Sequence, residues 1–298
     1  MYDKMMDEKN GPRKVLFYMK MTNFKKKYLL TPFALTSLII FGLSGCNVLP
    51  STPEKQEMSS QSEISSFIEE PEITRDETEE LQAQLVETPN VLSSDWNLIL
   101  VNQESQLTED LNFESYTASS GETIDARVAE DFEEMIAAGE AEGLPFVFVS
   151  GYRTYAYQEQ IYANVYSGHL NNGHSEADAK KMTEDFIAIP GTSEHMTGLA
   201  LDITDPALYH LENGLVTAFE ETATAQWLYE NAANYGFVLR YPRGKEGIID
   251  VNYEAWHFRY VGRENAQYMV ANNLALEEYV ALLESNEAVR EQISELSE

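Results

Sequence analysis

The sequence is poor in cysteine and in basic residues, which often define a protein's chemistry. Among its 298 residues there is one cysteine, Cys46, and there are only 20 lysines and arginines against 50 aspartates and glutamates. A single cysteine cannot form a disulfide within the chain, so the fold must rest on packing, and a metal site in the folded region must use histidines and carboxylates. The formal net charge of −30 argues against nucleic acid as a partner, because phosphate recognition requires lysine and arginine.

One long uncharged run lies near the N-terminus. It extends from Tyr28 to Leu43 and follows three lysines at residues 25–27. A bilayer span needs about 20 apolar residues, so this shorter run instead suits the hydrophobic region of a secretory signal. The run ends in LSGC, which resembles the bacterial lipobox and predicts a lipoprotein signal peptide at residues 1–45 with lipidation of Cys46. The alternatives are an uncleaved signal anchor and a thiol that is simply buried.

The segment that follows, residues 46–87, is acidic and rich in Ser, Glu, Gln, Thr and Pro. Few apolar residues and dense charge cannot offset the entropy of ordering, so we expect a disordered tether. A flexible segment of about 40 residues has a reach of roughly 35 Å. A short helix around Thr78–Leu85 would be solvated.

The rest of the chain shows helix and strand patterns over residues 88–285, followed by a C-terminal tail at residues 286–298. Short apolar or alternating runs predict strands, and apolar residues three or four apart predict helices. The predicted strands are Trp96–Asn102, Pro145–Ser150, Gly198–Thr204 and residues 255–262. The predicted helices are Ile124–Gly143, residues 154–168, part of residues 169–186, Ala225–Phe237, and one or two helices from residue 264 to residue 285. Helices mixed with short strands indicate a single compact α+β domain.

Two of the five histidines occur in contexts that suit metal binding. His195 lies in a turn just before the strand that carries Asp202, and His257 lies on a strand face opposite three aromatic residues. Any one of these histidines alone would more often be an ordinary surface residue. Three protein ligands with one open position distinguish catalytic zinc from structural zinc. Glu254, three residues before His257, is the candidate proton-transfer group.

The spacing of these residues requires two turns. His195 and Asp202 are an odd number of positions apart, so they cannot share one face of a straight strand. A turn at residues 197–198 must therefore fold His195 back, and Glu254 must lie in the loop before the strand of His257. Zinc on two neutral imidazoles and a carboxylate can lower the pKa of water to about 7. Glu254 would take the proton and pass it to a leaving amine.

The segment SGYRTYAYQ places Arg153 between a buried strand and the start of a helix. One interpretation is a surface arginine at a helix start. The other is a fixed guanidinium that binds a carboxylate or an oxyanion. The residue pattern alone leaves both interpretations open.

Three segments, SGYRTYAYQ, SEHMTGLALD and EAWHFRYVG, closely resemble the motifs of the VanY-like D-alanyl-D-alanine carboxypeptidase family of zinc peptidases, which includes L,D-carboxypeptidases. The resemblance extends from about Trp96 to Leu283. It implies zinc on His195, Asp202 and His257, with Glu254 as general base and acid. It also implies that Arg153, Gln158 and Ser193 contact the substrate's terminal residue or the transition state. The implied fold is a compact α+β domain with a central antiparallel sheet flanked by helices, shared with the Hedgehog signalling domain.

The same resemblance implies removal of the C-terminal D-alanine from peptidoglycan stem peptides. Whether the bond is D,D or L,D stays open, because one methyl group or one inverted centre is worth only about 1–3 kcal/mol of discrimination. The alternatives are an endopeptidase that cuts cross-bridges and a non-catalytic zinc-containing module that binds the cell wall. We expect a monomer, held by a lipid on Cys46 at the outer face of the bacterial cytoplasmic membrane and facing the wall.

Overall fold

A computed structural model of the protein describes residues 75–211 and 214–297. The predicted signal peptide, Cys46 and most of the predicted tether lie outside the described residues. Within the two described ranges, helices and antiparallel strands form the α+β domain that the sequence predicts. None of the helices in these ranges is both long and apolar enough to cross a membrane.

The strands form a small hairpin and a central sheet. In chain order they are β1 (Ser115–Thr117), β2 (Thr123–Asp125), β3 (Val147–Ser150), β4 (Ala200–Thr204), β5 (Phe237–Leu239) and β6 (His257–Tyr260). The hairpin pairs β1 with β2, and the central sheet is antiparallel with the order β3-β4-β6-β5. The register places Asp202 of β4 opposite both Ser150 of β3 and His257 of β6. Two of the candidate metal ligands are therefore direct neighbours across the two middle strands.

Helices surround this sheet. They are α1 (Arg75–Gln82), α2 (Ala129–Ala141), α3 (Tyr155–Asn171), α4 (Glu176–Glu184), α5 (Ala223–Asn231), α6 (Glu246–Ile249), α7 (Arg263–Ala271) and α8 (Leu276–Glu295). Three of them begin at hydroxyl side chains that accept a hydrogen bond from a backbone N–H of the first turn, as N-cap residues do. These caps are Thr154 for α3, Ser175 for α4 and Thr222 for α5.

The two faces of the central sheet differ in chemistry. Leu201, Ile203 and Phe258 lie on the face that packs against α2 and α5 in the largest hydrophobic core. A second core joins β5 to α7 and α8. The opposite face of β4 and β6 is also buried, yet it carries the polar side chains of Asp202 and His257. The sheet is thus apolar on one side and holds the candidate site on the other.

The prediction of a strand at Trp96–Asn102 is wrong. This segment is an irregular stretch, in which Leu98 and Val101 are buried. Its carbonyl groups bind a side chain instead of a neighbouring strand, because Arg259 Nη2 donates to the carbonyl oxygens of Asn97 and Ile99 at 3.2 and 2.7 Å. An arginine side chain therefore makes hydrogen bonds to this segment that a neighbouring strand would otherwise make.

Several predicted boundaries differ from those of the structure. Helix α3 continues past Gly168 to Asn171, and the chain turns only at Gly173, whose φ is +89°. Helix α8 continues past residue 285 to Glu295, through most of the predicted tail. Its Asn286 side chain accepts a hydrogen bond from the backbone N–H of Val86 at 3.0 Å and donates to the Val86 carbonyl at 2.8 Å. The end of the predicted tether is therefore fixed to α8.

We expect Gly198→Ala to destabilise the fold strongly. Gly198 has a φ of +72°, and a Cβ added there would lie 2.7 Å from the ring of Phe113 and 3.0 Å from the backbone nitrogen of Asp125. The left-handed backbone alone costs an L-residue about 1–2 kcal/mol, and the clash adds to that cost. Gly173→Ala is the matched control, because Gly173 has a φ of +89° but nothing lies within 4 Å of its added Cβ.

Chemical denaturation of both variants measures the difference. The free energy of unfolding should fall further in Gly198→Ala than in Gly173→Ala by at least about 1 kcal/mol. Equal losses in the two variants would contradict the tight packing that we assign to the turn before β4.

Candidate metal centre

Three side chains converge on the polar face of the sheet. Asp202 lies in the middle of β4, His257 is the first residue of β6, and His195 belongs to a short 3₁₀ turn, Glu194–Thr197. One ligand atom from each of the three lies within 4.8 Å of the other two, and all three residues are buried. The left-handed Gly198 ends the 3₁₀ turn and brings His195 back towards β4. The turn that the odd spacing required is therefore present.

Both histidines direct one ring nitrogen at the aspartate. His195 Nε2 lies 3.2 Å from Asp202 Oδ2, and His257 Nδ1 lies 3.1 Å from Asp202 Oδ1. The two rings are almost perpendicular, at an interplanar angle of 89° and a centroid separation of 5.0 Å. A metal held by this cluster would therefore meet Nε2 of His195 and Nδ1 of His257.

The second nitrogen of His195 is held by the backbone. Its Nδ1 lies 2.7 Å from the carbonyl oxygen of Gly151, in the turn after β3. That turn is itself fixed, since the Gly151 N–H donates to Glu122 and the Arg153 N–H donates to the His195 carbonyl. A proton on Nδ1 leaves Nε2 free as a ligand, which is how outer partners usually fix a metal-binding histidine.

Burial and charge shift the pKa values of these groups in different directions. Burial lowers the pKa of His195. For Asp202, burial would raise the pKa, but the two histidines outweigh it and hold the pKa well below its usual range. Burial also disfavours protonated His257, yet the neighbouring carboxylates of Asp202 and Glu194 raise its pKa to about 9. The aspartate is thus a carboxylate, ready to serve as a ligand.

Glu254 lies in the loop before β6, as predicted, and borders the cluster. Its Oε2 is 3.6 Å from His257 Nδ1, the metal-facing nitrogen, and 30% of its side chain is exposed. Burial raises the pKa of Glu254 to about 7. A carboxyl group that exchanges a proton near neutral pH and reaches solvent is suited to move a proton at this site.

Arg153 lies at the entrance to the cluster, and 22% of its side chain is exposed. Its Nε and Nη2 donate to Ser150 Oγ at 3.1 and 2.9 Å, and Nη2 is also 3.2 Å from Asp202 Oδ2. Among the described residues, no group accepts a hydrogen bond from its Nη1. The guanidinium is therefore fixed on one side and available to an anion on the other.

Gln158 and Ser193 are buried, but the described contacts do not join them to the three candidate ligands. Gln158, on α3, donates from Nε2 to the carbonyl oxygen of Ala188 at 2.8 Å. Its Oε1 is buried and has no hydrogen-bond partner among the described residues. Ser193 directly precedes the 3₁₀ turn and is 4% exposed. Their contact with substrate stays a prediction from the family resemblance.

The cluster fits zinc. Two imidazole nitrogens and one carboxylate are the donor set of many catalytic zinc sites, and a fourth position stays open. The atoms that face one another in the cluster are suited to bind a metal. The other ring nitrogen of His195 already contacts the Gly151 carbonyl. The arrangement of a buried ligand set beside a partly exposed carboxylate is that of a catalytic metal centre rather than a structural one.

The sequence analysis missed the charged residues behind this cluster. Glu194 is fully buried and shares one carboxylate oxygen between Arg240 and Arg259. The ring of Tyr241 packs against that of His257 at a centroid distance of 4.7 Å. Two arginines within apolar strand segments were the available signal, because a buried guanidinium needs a buried acid.

Comparisons with known proteins point to one family. The chain matches the family model for VanY, D-alanyl-D-alanine carboxypeptidase, over residues 121–263. A D-alanyl-D-alanine carboxypeptidase of Enterococcus faecalis is 36% identical over 186 residues, which are 62% of this chain and 66% of that relative. The bifunctional D-Ala-D-Ala dipeptidase and D-Ala-D-Ala carboxypeptidase VanXYC of Enterococcus gallinarum is 35% identical over 158 residues, which are 52% of this chain and 76% of that relative.

Other relatives are matched over less of their length. YodJ of Bacillus subtilis is 39% identical over 52% of this chain and 53% of its own length. The chain thus covers just under two thirds of the Enterococcus faecalis relative and about half of YodJ.

Solved structures extend the comparison to the fold. A mutant of the vancomycin resistance D,D-pentapeptidase VanY in complex with Zn(II) has a TM-score of 0.54 at 36% identity, covering 62% of this chain and 99% of that one. The LD-carboxypeptidase LdcB has a TM-score of 0.50 at 34% identity, covering 62% of this chain and 86% of that one. The fold, the donor set and these likenesses define the class of zinc metallocarboxypeptidases. Within that class, the chain belongs to the VanY D-alanyl-D-alanine carboxypeptidase family.

We expect His257→Ala to abolish tight zinc binding, because it removes one of the three candidate ligands. Purified wild-type protein should contain about one zinc ion per chain by elemental analysis. His174→Ala is the matched control, because this histidine is exposed and lies outside the cluster. Full zinc content in His257→Ala would contradict the assignment of the ligands.

Proposed function

We propose that this protein is a zinc-dependent carboxypeptidase that removes the C-terminal D-alanine from peptidoglycan stem peptides. The observation that carries the proposal is the buried cluster of His195, Asp202 and His257 with the partly exposed carboxylate of Glu254 beside it. The neighbouring guanidinium of Arg153 supports an exopeptidase, because it is placed to bind an anionic chain end.

Each side chain has a separate task in this proposal. Zinc held by His195, Asp202 and His257 would supply a Lewis acid, which acidifies water and polarises a carbonyl group. Glu254 takes the proton from the attacking water and then delivers it to the leaving amine of D-alanine. Its pKa of about 7 suits both steps, because the group can accept and release a proton near neutral pH.

Arg153 would bind the terminal carboxylate or the developing oxyanion. Its Ser150 and Asp202 contacts hold the guanidinium plane, so little side-chain entropy is lost when an anion binds. A fixed donor also positions the scissile bond at a set distance from the chain end. This selects the last peptide bond of the substrate.

The relatives favour the D,D bond as the first candidate. A VanYB structure, in complex with D-alanine-D-alanine, has a TM-score of 0.55 at 36% identity and covers 63% of this chain and 98% of that one. The likeness to the LD-carboxypeptidase LdcB supports an L,D-carboxypeptidase as the second candidate. The two activities differ in their substrates. A D,D-carboxypeptidase converts a pentapeptide to a tetrapeptide, and an L,D-carboxypeptidase converts a tetrapeptide to a tripeptide.

Mass spectrometry of defined muropeptides tests the proposal. Zinc-loaded protein should convert a pentapeptide to a tetrapeptide with release of D-alanine, and the same peptide with an amidated C-terminus should stay intact. Loss of alanine from a tetrapeptide alone would instead assign the L,D activity. Cleavage of the amidated peptide or of a cross-linked dimer would identify an endopeptidase, and no cleavage of any substrate would overturn the proposal.

In the same assay, Glu254→Gln separates the chemical step from metal binding. The amide cannot accept the proton, so we expect turnover to fall by at least about 10²-fold, while zinc content stays near one ion per chain. His257→Ala should lose zinc and turnover together. Unchanged turnover in Glu254→Gln would show that another group moves the proton.

We also propose that the protein is a lipoprotein, anchored through Cys46 and released from its signal peptide at residues 1–45. The support is the lipobox-like LSGC after an uncharged run. A lipid anchor would place the domain beside its wall substrate. Metabolic labelling with palmitate in a bacterial host should mark the wild type but not Cys46→Ser. Label in the serine variant would contradict this assignment.

A further inference from the structure

Glu194 lies beside a candidate ligand without belonging to the ligand set. It precedes His195 in the 3₁₀ turn, and its side chain is fully buried. Its Oε1 accepts hydrogen bonds from Arg240 Nε and Arg259 Nη1, each at 2.7 Å. One oxygen therefore satisfies both arginines, and the second oxygen is left for another partner.

The second oxygen faces the other candidate histidine. Glu194 Oε2 lies 3.5 Å from His257 Nε2, the ring nitrogen that points away from Asp202. Both atoms are buried, and neither has a hydrogen-bond partner among the described residues. The separation is slightly longer than a hydrogen bond, so a small shift of either side chain would close it. Two buried polar atoms that face each other without other partners form a natural donor and acceptor pair.

We propose that Glu194 is a positioning residue, which accepts the Nε2 proton of His257 and so leaves Nδ1 of that ring free to bind zinc. The inference rests on the zinc-dependent function proposed above and adds a residue to it. It also gives the two histidines equivalent supports. The Gly151 carbonyl fixes His195 through Nδ1, and the Glu194 carboxylate fixes His257 through Nε2.

The surroundings of Glu194 explain why its carboxylate can hold this orientation. Arg259 extends from β6, two residues after His257, and Arg240 follows β5, so both guanidiniums come from the sheet. The ring of Tyr241 lies against the His257 ring and leaves it little freedom to rotate. The Glu194 carboxylate and the His257 ring are therefore both held in place by neighbouring side chains.

A fourth charge connects these side chains to the C-terminal helix. Glu277, in the first turn of α8, binds Arg240 through two hydrogen bonds, from Nη1 at 2.9 Å and from Nη2 at 2.5 Å. Two arginines and two glutamates make the buried network neutral overall. Glu277 shares the network but contacts Arg240 rather than His257. A variant of Glu277 therefore distinguishes a purely structural role of the network from positioning of His257.

Zinc affinity of Glu194→Gln is the first test, measured by competition with a chromogenic chelator in the absence of substrate. The amide keeps the size of the side chain but is a weaker acceptor, so zinc affinity should fall about 10–100-fold, as is usual for an outer partner of a metal ligand. Glu277→Gln is the matched control. It removes one negative charge from the same network, and its zinc affinity should stay within about threefold of the wild type.

Thermal unfolding of the metal-free proteins accompanies the affinity measurement. If the network has a purely structural role, both variants should have a lower melting temperature, and their zinc affinities should be equal to each other. Glu194→Asp, which keeps the charge but withdraws it by one methylene, should also bind zinc more weakly, and it replaces Glu194→Gln if that variant does not fold. Wild-type affinity in the Glu194 variant, or equal losses in the Glu194 and Glu277 variants, would overturn the proposal.

A measurement on the unaltered protein needs no variant to fold. Long-range ¹H–¹⁵N NMR of zinc-loaded protein with labelled histidines reports which ring nitrogen carries a proton. We expect a protonated Nε2 and a metal-bound Nδ1 on His257, and the reverse on His195. A proton on Nδ1 of His257 would refute the inference. Because no substrate is present, a protein that shows this pattern yet cleaves no muropeptide would refute only the proposed function.

Discussion

The pairing of β4 with β6 is the constraint on which the site depends. Because the register sets Asp202 directly opposite His257, two candidate ligands are fixed by backbone hydrogen bonds before any metal binds. Successive residues of a strand point to opposite faces, so a slip of one position would exchange His257 for Phe258 on the site face. The same slip would bury a polar ring in the hydrophobic core. Core packing and site geometry therefore enforce one register together.

The site face shows how a protein keeps several charges in its interior. Isolated buried charges are costly, and pairing offsets the cost only when every partner is well placed. Here Glu194 lies between two guanidiniums, and these also bind backbone carbonyls or a second carboxylate. Arg153 and Glu254, which contact Asp202 and His257, have side chains that are 22% and 30% exposed. Solvent therefore reaches the two groups whose proposed tasks require contact with substrate.

The sequence predicted which three side chains converge on the sheet, but it predicted less of the frame around them. The odd spacing of His195 and Asp202 required a turn, and the structure has that turn at Gly198. The segment around Leu98 was misread as a strand, because a short apolar run does not reveal which group binds its backbone. Glu194 was missed for a related reason. A glutamate in a turn is expected to be exposed unless its distant arginine partners are known, and these lie on β6 and just after β5.

The contacts of Arg259 and Arg240 extend the folded domain beyond the segment that carries its motifs. Its guanidinium binds the carbonyls of Asn97 and Ile99, and Arg240 binds Glu277. Both arginines lie within the matched family segment, residues 121–263, whereas these carbonyls and Glu277 lie outside it. A fragment cut to that segment would bury two cations without all their acceptors. The smallest unit that folds cooperatively therefore extends beyond the catalytic motifs in both directions along the chain.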